Sequence, residues 1–219
     1  MSADSFGLIG KNYYAHEKNP PYWSKAPGAI DALLLRQSVG ERLRRVDARL
    51  KSQGFQLFLY DAWRPRAVQE YFHNIWTPRE LAKRHPGLEG EALMAEVTRY
   101  WAAPTIDAKR PAPHATGAAV DLTITLIDGP ALWMGSLFDD ASELAHTARF
   151  ESAESAMMSF SDDEARANRR LLYWLMKEEG FHNVRTEWWH YSWGDQLWAM
   201  RENAPAAHYG LAKPPPGFE

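Results

Sequence analysis

One short run constrains the fold more than any other. In VDLTITL (residues 120–126), Val120, Leu122, Ile124 and Leu126 alternate with Asp121, Thr123 and Thr125. Strict alternation over this length predicts a β-strand with one face in the core. The other face carries a carboxylate, and a buried carboxylate without a partner is costly. The chain must therefore build a sheet and also bring something cationic to Asp121.

The flanking segments supply helices. Ser38 and Glu41 have capping-box spacing and predict a helix with Val39, Leu43, Val46 and Leu50 on one stripe, ended by Gly54. ALLLR before it reads as a short buried strand, and FQLFLY (residues 55–60) as another. Pro65 suits the first turn of a helix whose buried face is Ala67, Val68, Tyr71, Phe72 and Ile75. Residues 78–100 read as helix broken at His85-Pro86-Gly87, KRPAPH (residues 109–114) as a loop, and residues 128–160 as a long loop with short helical pieces. Ser161 and Glu164 predict a second capping box, opening a helix with Leu171, Leu172, Leu175 and Met176 inward and a stop at Gly180. WWHYSWG (residues 188–194) reads as a last strand.

The expected organisation is a single domain over residues 1–219, with an irregular N-terminal arm (1–29) and a C-terminal tail (203–219). At 219 residues the chain is long enough for a substantial core and short for two domains. Its 25 Lys and Arg nearly balance 28 Asp and Glu, and no basic patch is interleaved with aromatics, so no nucleic-acid partner is expected. No window is apolar enough for a membrane span, and no basic stretch with a long apolar run opens the sequence; a cytoplasmic protein without membrane association is expected. Cysteine is absent, so a metal must be held by His, Asp or Glu.

Three segments carry candidate chemistry. In PHATGAAVDLT, His114 precedes the strand and Gly117 permits a sharp turn, so a divalent metal could join His114 to Asp121; an ordinary ion pair fits the same spacing. In EWWHY, His190 is a candidate ligand and Glu187 a candidate general base; a tryptophan-rich core strand with a satisfied histidine fits the same run. Residues three apart on a regular strand face opposite ways, so both can serve one site only if Glu187 precedes the strand or sits at a bulge. In YDAWRP, a strand delivers Asp61 and Arg64 to its end, and Arg64 could stabilise an oxyanion. Together these are the parts for metal-assisted amide hydrolysis.

These segments, in order with MGSLFD, NRRLL, EEGF, EWWHYSWGDQLWA and AAHYG, resemble the zinc D-alanyl-D-alanine dipeptidases (VanX-type) and their zinc D,D-peptidase relatives. The resemblance runs from about residue 30 to about residue 210. It implies a compact α+β domain around an antiparallel sheet flanked by helices, a hedgehog-like fold, with one Zn2+ per chain. It implies His114, Asp121 and His190 as zinc ligands, Glu187 as catalytic base and Arg64 as stabiliser of the tetrahedral intermediate. It assigns Asp139 to the ammonium of a small D-dipeptide, most simply D-Ala-D-Ala from cell-wall metabolism.

The sequence departs from the family at Ala112, where serine is usual, at Thr116, where arginine is frequent, and in the arm, where Tyr13, Tyr14 and Tyr22 are candidates to close the pocket. Among the other histidines, His73 and His85 are expected to face solvent, His182 to follow a helix end, and His146 to lie in the pocket-forming loop. Two rival readings remain: a zinc D,D-carboxypeptidase or endopeptidase acting on longer wall peptides, and a non-catalytic zinc-fold binding domain.

Overall fold

The computed structural model describes residues 1–105, 107–151 and 159–214. The predicted strand is its central element, β3 (Ala119–Leu126). Preceding it in the chain are β1 (Ile9–Gly10) and β2 (Phe55–Asp61); β4 (His182–Asn183) and β5 (His190–Ser192) come after it. The sheet order is β1-β2-β3-β5-β4. The α+β reading holds, with one addition: β1 pairs parallel to β2, while the other pairings are antiparallel. That parallel edge comes from the supposedly irregular arm, which also buries Leu8, Tyr14 and Ala26.

Val120, Leu122 and Ile124 are fully buried, and Leu57 and Leu59 of β2 share their face. Helix α1 (Gln37–Lys51) packs on β2 with its predicted stripe buried, and α5 (Phe160–Glu178) packs on β3 and β4. The polar face of β3 is buried too, at Asp121, Thr123 and Thr125, beneath the arm and the segment after β3. There Phe138 stacks on Tyr60 and meets Tyr13 edge-on.

Several predicted boundaries move. ALLLR forms only a bridge from Leu34 to Ser2, because its backbone bonds go to the N-terminal segment rather than to the sheet. Helix α1 starts earlier than its expected cap: Arg36 holds the N-cap position and Ser38 Oγ shares a hydrogen bond with the Tyr209 hydroxyl. The capping box of α5 is Ser159 with Asp162, the preceding copy of the same spacing, rather than Ser161 with Glu164. Leu172 and Met176 face inward there, whereas Leu171 is exposed. The last strand covers only His190–Ser192, and a helix, α6 (Gln196–Arg201), precedes the tail. Residues 152–158 of the expected loop and 215–219 of the tail lie outside the described residues.

The largest correction lies just beyond Pro65. Helix α2 (Arg66–Tyr71) runs into a π-helical turn at Phe72–Trp76, then into α3 (Thr77–Arg84); α4 is Gly90–Tyr100. A π turn takes up an additional residue and rotates the helix beyond it. Val68 and Phe72 stay buried as predicted, but Ile75 is exposed and His73, expected at the surface, is buried. Ala67 is exposed as well.

Candidate active site

The site is built across three strands. Asp61, Asp121 and His190 lie in one row, Asp61 being the register partner of Asp121 and Asp121 that of His190. A β-bulge between Leu59 and Asp61 makes this possible. Unbroken alternation would put Asp61 on the apolar face with Leu57 and Leu59; the additional residue, Tyr60, turns it to the face of Asp121.

His114 comes from a 3-10 turn (Pro113–Thr116) ended by Gly117 at φ +70°, left-handed backbone that glycine adopts at little cost. Its Nδ1 lies 2.7 Å from the Ala62 carbonyl. With a proton there, Nε2 is left to face inward, 3.3 Å from Asp121 Oδ2 and 3.1 Å from His190 Nδ1. His190 Nδ1 is in turn 3.1 Å from Asp121 Oδ1, a buried atom without a hydrogen-bond partner. The three ligand atoms lie within 4.8 Å of one another, the one such cluster among the described residues. Tetrahedral zinc with bonds of about 2.0–2.1 Å separates its ligands by about 3.3 Å. These three groups, two neutral-capable imidazoles and a carboxylate, therefore fit a divalent zinc ion.

Glu187 occupies the turn before β5, which removes the strand-periodicity objection; its Oε2 is 3.6 Å from His190 Nδ1. Burial raises its pKa, against the pull of His190. Burial would also raise that of Asp121, but His114 and His190 outweigh it and hold the carboxyl well below the usual range. His190 shows the reverse balance: burial lowers its pKa, and Asp121 and Glu187 raise it above the ordinary value.

Arg64 is 8% exposed, and four of its five N–H donors are engaged. Nε donates to Asp61 Oδ2 at 2.8 Å, Nη1 to Gln69 Oε1 at 2.9 Å, and Nη2 to the Tyr14 hydroxyl at 3.3 Å and Asp121 Oδ2 at 3.4 Å. The guanidinium lies over the rings of Tyr14 and Trp101. Burial opposes its charge, but the Tyr14 oxygen and the surrounding carboxylates hold it firmly protonated.

Asp139 has left-handed backbone, φ +59°, in the segment after β3. Its Oδ2 accepts from the Tyr14 hydroxyl at 2.7 Å and the Tyr22 hydroxyl at 2.8 Å. Burial, with Asp121 adding, pushes its pKa up to about 8. All six expected residues line one cavity of about 950 Å³, along with Tyr14, Tyr22, Trp101, His146 and Trp189.

This arrangement can hold a metal, activate water beside it and receive a cationic group. A sequence profile of the D-Ala-D-Ala dipeptidase family of M15 peptidases matches residues 28–208. The chain belongs to that family. Membership makes this D-Ala-D-Ala dipeptidase family protein a metallopeptidase. It is 31% identical over 192 residues to the D-alanyl-D-alanine dipeptidase of Synechocystis sp., covering 83% of this chain and 76% of that one. The Streptomyces coelicolor enzyme of the same name is 32% identical over 182 residues (78% and 81%), and that of Enterococcus faecalis 28% over 173 residues (76% of each).

The departures from the family pattern now have places in the structure. Tyr14 and Tyr22 reach Asp139, whereas the Tyr13 hydroxyl donates to the Pro20 carbonyl. Ala112 lines the cavity, but Thr116 does not; its hydroxyl closes the local turn onto Pro113 and Ala118. Sequence reasoning gave Asp61 no role and missed Gln69 and Trp101 altogether. Asp61 left one signal, a carboxylate ending an apolar strand, while Gln69 and Trp101 left none, because their contacts to Arg64 and their places in the cavity wall arise only on folding. No helix among the described residues is long and apolar enough to cross a membrane.

Proposed function

We propose that the chain hydrolyses D-Ala-D-Ala, or a closely similar free D-dipeptide, with one zinc ion held by His114, Asp121 and His190. What carries the reading is the convergence of His114 Nε2, Asp121 and His190 Nδ1 on one point, with the Glu187 carboxylate beside it. When bound there, zinc supplies Lewis acidity, polarising the scissile carbonyl and bringing the pKa of the attacking water to about 7.

The remaining work falls to side chains. Glu187 Oε2 takes a proton from the water and passes it to the leaving amine, and its raised pKa suits a group that must hold a proton in mid-reaction. Arg64, fixed by Asp61 and Gln69, presents a permanent positive charge toward the metal site, where an oxyanion develops. Asp139 pairs with the substrate's ammonium. Both phenols bind its Oδ2, so the acceptor sites of Oδ1 remain for the substrate. A fixed carboxylate for the amino terminus favours dipeptides over blocked wall peptides.

The test joins metal analysis to hydrolysis of D-Ala-D-Ala with and without chelator, for wild type and Glu187→Gln. Wild type should carry about one zinc per chain and lose activity to chelator. The variant should keep the metal and lose about 10²–10⁴-fold in kcat. Undiminished turnover by the variant would overturn the assignment of the base. Preference for N-acetyl-D-Ala-D-Ala would overturn the dipeptidase reading.

A further inference from the structure

The N-R-R segment of α5 lies outside the cavity, yet all three side chains end on the segment that carries Asp139. Asn168 Nδ2 donates to the Trp133 carbonyl at 2.9 Å. Arg170 pairs with Glu151 through two hydrogen bonds. Between them, Arg169 is 3% exposed and donates to three backbone carbonyls at 2.6 Å: Nε to Met134, Nη2 to Leu144 and Nη1 to His146. Met134 precedes Asp139, and Leu144 and His146 come after it, so one guanidinium ties both ends of the loop.

The same loop is joined to the turn bearing Glu187. Trp188 Nε1 donates to Ser136 Oγ at 2.9 Å, and Trp188 N to the Ala145 carbonyl at 3.0 Å. The Arg169 guanidinium lies over Phe150, 4.7 Å from the ring centroid, and 5.9 Å from that of Trp188.

Burying this cation is costly. Desolvation lowers its pKa to about 10, and its hydrogen-bond partners are carbonyls rather than a carboxylate. An apolar side chain would fill an ordinary core position at least as well. What only a planar, five-donor group provides is simultaneous hold on three divergent carbonyls. An irregular loop needs such hold, because ordering each residue costs about 1–2 kcal/mol and a charge pair misplaced by about 1 Å loses much of its effect.

We propose that Arg169, assisted by Asn168, is a positioning residue that fixes Asp139 relative to the metal site and so sets the preference for a free amino terminus. The inference rests on the proposed function, in which Asp139 is the ammonium partner.

The experiment compares Arg169→Lys, Asn168→Ala and Asp139→Asn with wild type. Each is assayed for kcat and KM on D-Ala-D-Ala and on N-acetyl-D-Ala-D-Ala, with metal content measured on the same samples. Lysine keeps the charge but cannot span three carbonyls. Asn168 is half-exposed, so its truncation leaves the core intact and decides the matter if the Arg169 variant does not fold. For Arg169→Lys, KM on D-Ala-D-Ala should rise about tenfold, for Asn168→Ala about threefold, with kcat per bound metal little changed. The free-to-blocked ratio of kcat/KM should fall in step, and that ratio is insensitive to the folded fraction. If both substrates decline in proportion, or neither changes, Arg169 is only a structural residue and the inference is wrong. If Asp139→Asn itself keeps the full preference, the ammonium assignment fails instead. If Asp139→Asn abolishes the preference while both α5 variants retain it, the positioning role alone fails.

Discussion

Tyr22→Phe removes one oxygen from the site and leaves the ring in place. The ring packs against Phe72 and Trp76, with centroids 4.5 and 4.6 Å away, and phenylalanine keeps those contacts. The lost hydroxyl stands 2.8 Å from Asp139 Oδ2. A hydrogen bond to a charged group is worth about 1.5–3 kcal/mol. Tyr14 still holds the same oxygen at 2.7 Å, so the low end applies, and about 1.4 kcal/mol corresponds to about tenfold in affinity.

The direction is set by the carboxyl's pKa, raised to about 8 by burial and held down in part by the two phenols. Deleting one phenol raises it further. At pH 7 more molecules then carry a protonated Asp139, which cannot pair with an ammonium. The expected result is a KM for D-Ala-D-Ala about tenfold higher at pH 7, partly recovered at pH 8, with kcat within about threefold because Glu187 and Arg64 are untouched. The melting temperature should fall by no more than about 4 °C. Initial rates at saturating zinc measure KM and kcat, and thermal denaturation measures the melting temperature. A KM unchanged within about twofold at both pH values, or a loss confined to kcat, would refute the reasoning.

Three further outcomes are expected. Zinc present at about 100 times its Kd should stabilise the fold by about 2.7 kcal/mol, or about 5–10 °C in Tm for a chain of this size, and chelator should reverse it. Asp121→Asn should abolish most of that shift in thermal denaturation; an equal shift in the variant would show that the metal binds elsewhere. Gly135→Ala should destabilise by at least about 2 kcal/mol in urea titration, because φ is +86° and a Cβ would run into the Phe150 ring; unchanged stability would argue against this loop geometry. Because the folded-state pKa of Asp139 is above its ordinary value, its contribution to stability is present in acid and lost as pH rises from about 4 toward 8. Metal-free Asp139→Asn should therefore lose less stability than metal-free wild type between pH 5 and 8, and identical slopes would contradict the raised pKa.

Local patterns revealed much of the framework. The alternation of β3 and the stripe of α1 each arise from the spacing of a few apolar residues, and both are buried as expected except Leu126, which ends the strand and is exposed. Errors concentrated where neighbouring signals compete or where the period slips. Two overlapping Ser-x-x-acid patterns stand at the start of α5, and spacing cannot tell which one caps. The π turn at Phe72–Trp76 shifts the helical phase, so Ile75 and His73 exchange the environments that a period of 3.6 assigns them. The bulge at Tyr60 does the same for a strand and moves Asp61 into the site.

The residue types needed for the chemistry, and their family spacing, were determined by the sequence alone: His114 and Asp121 around a glycine turn, Glu187 and His190 around two tryptophans. Their convergence was decided by tertiary structure. His114 and His190 stand 76 positions apart, and Tyr14 and Asp139 stand 125 apart. Local spacing carries no information about contacts at such separations, since these depend on strand register, on one inserted residue in β2 and on how the arm folds back. The polar face of β3 shows the difference most plainly. Alternation foretold its composition, but only the tertiary packing that brings Arg64, His114 and His190 around Asp121 gave that buried carboxylate its partners.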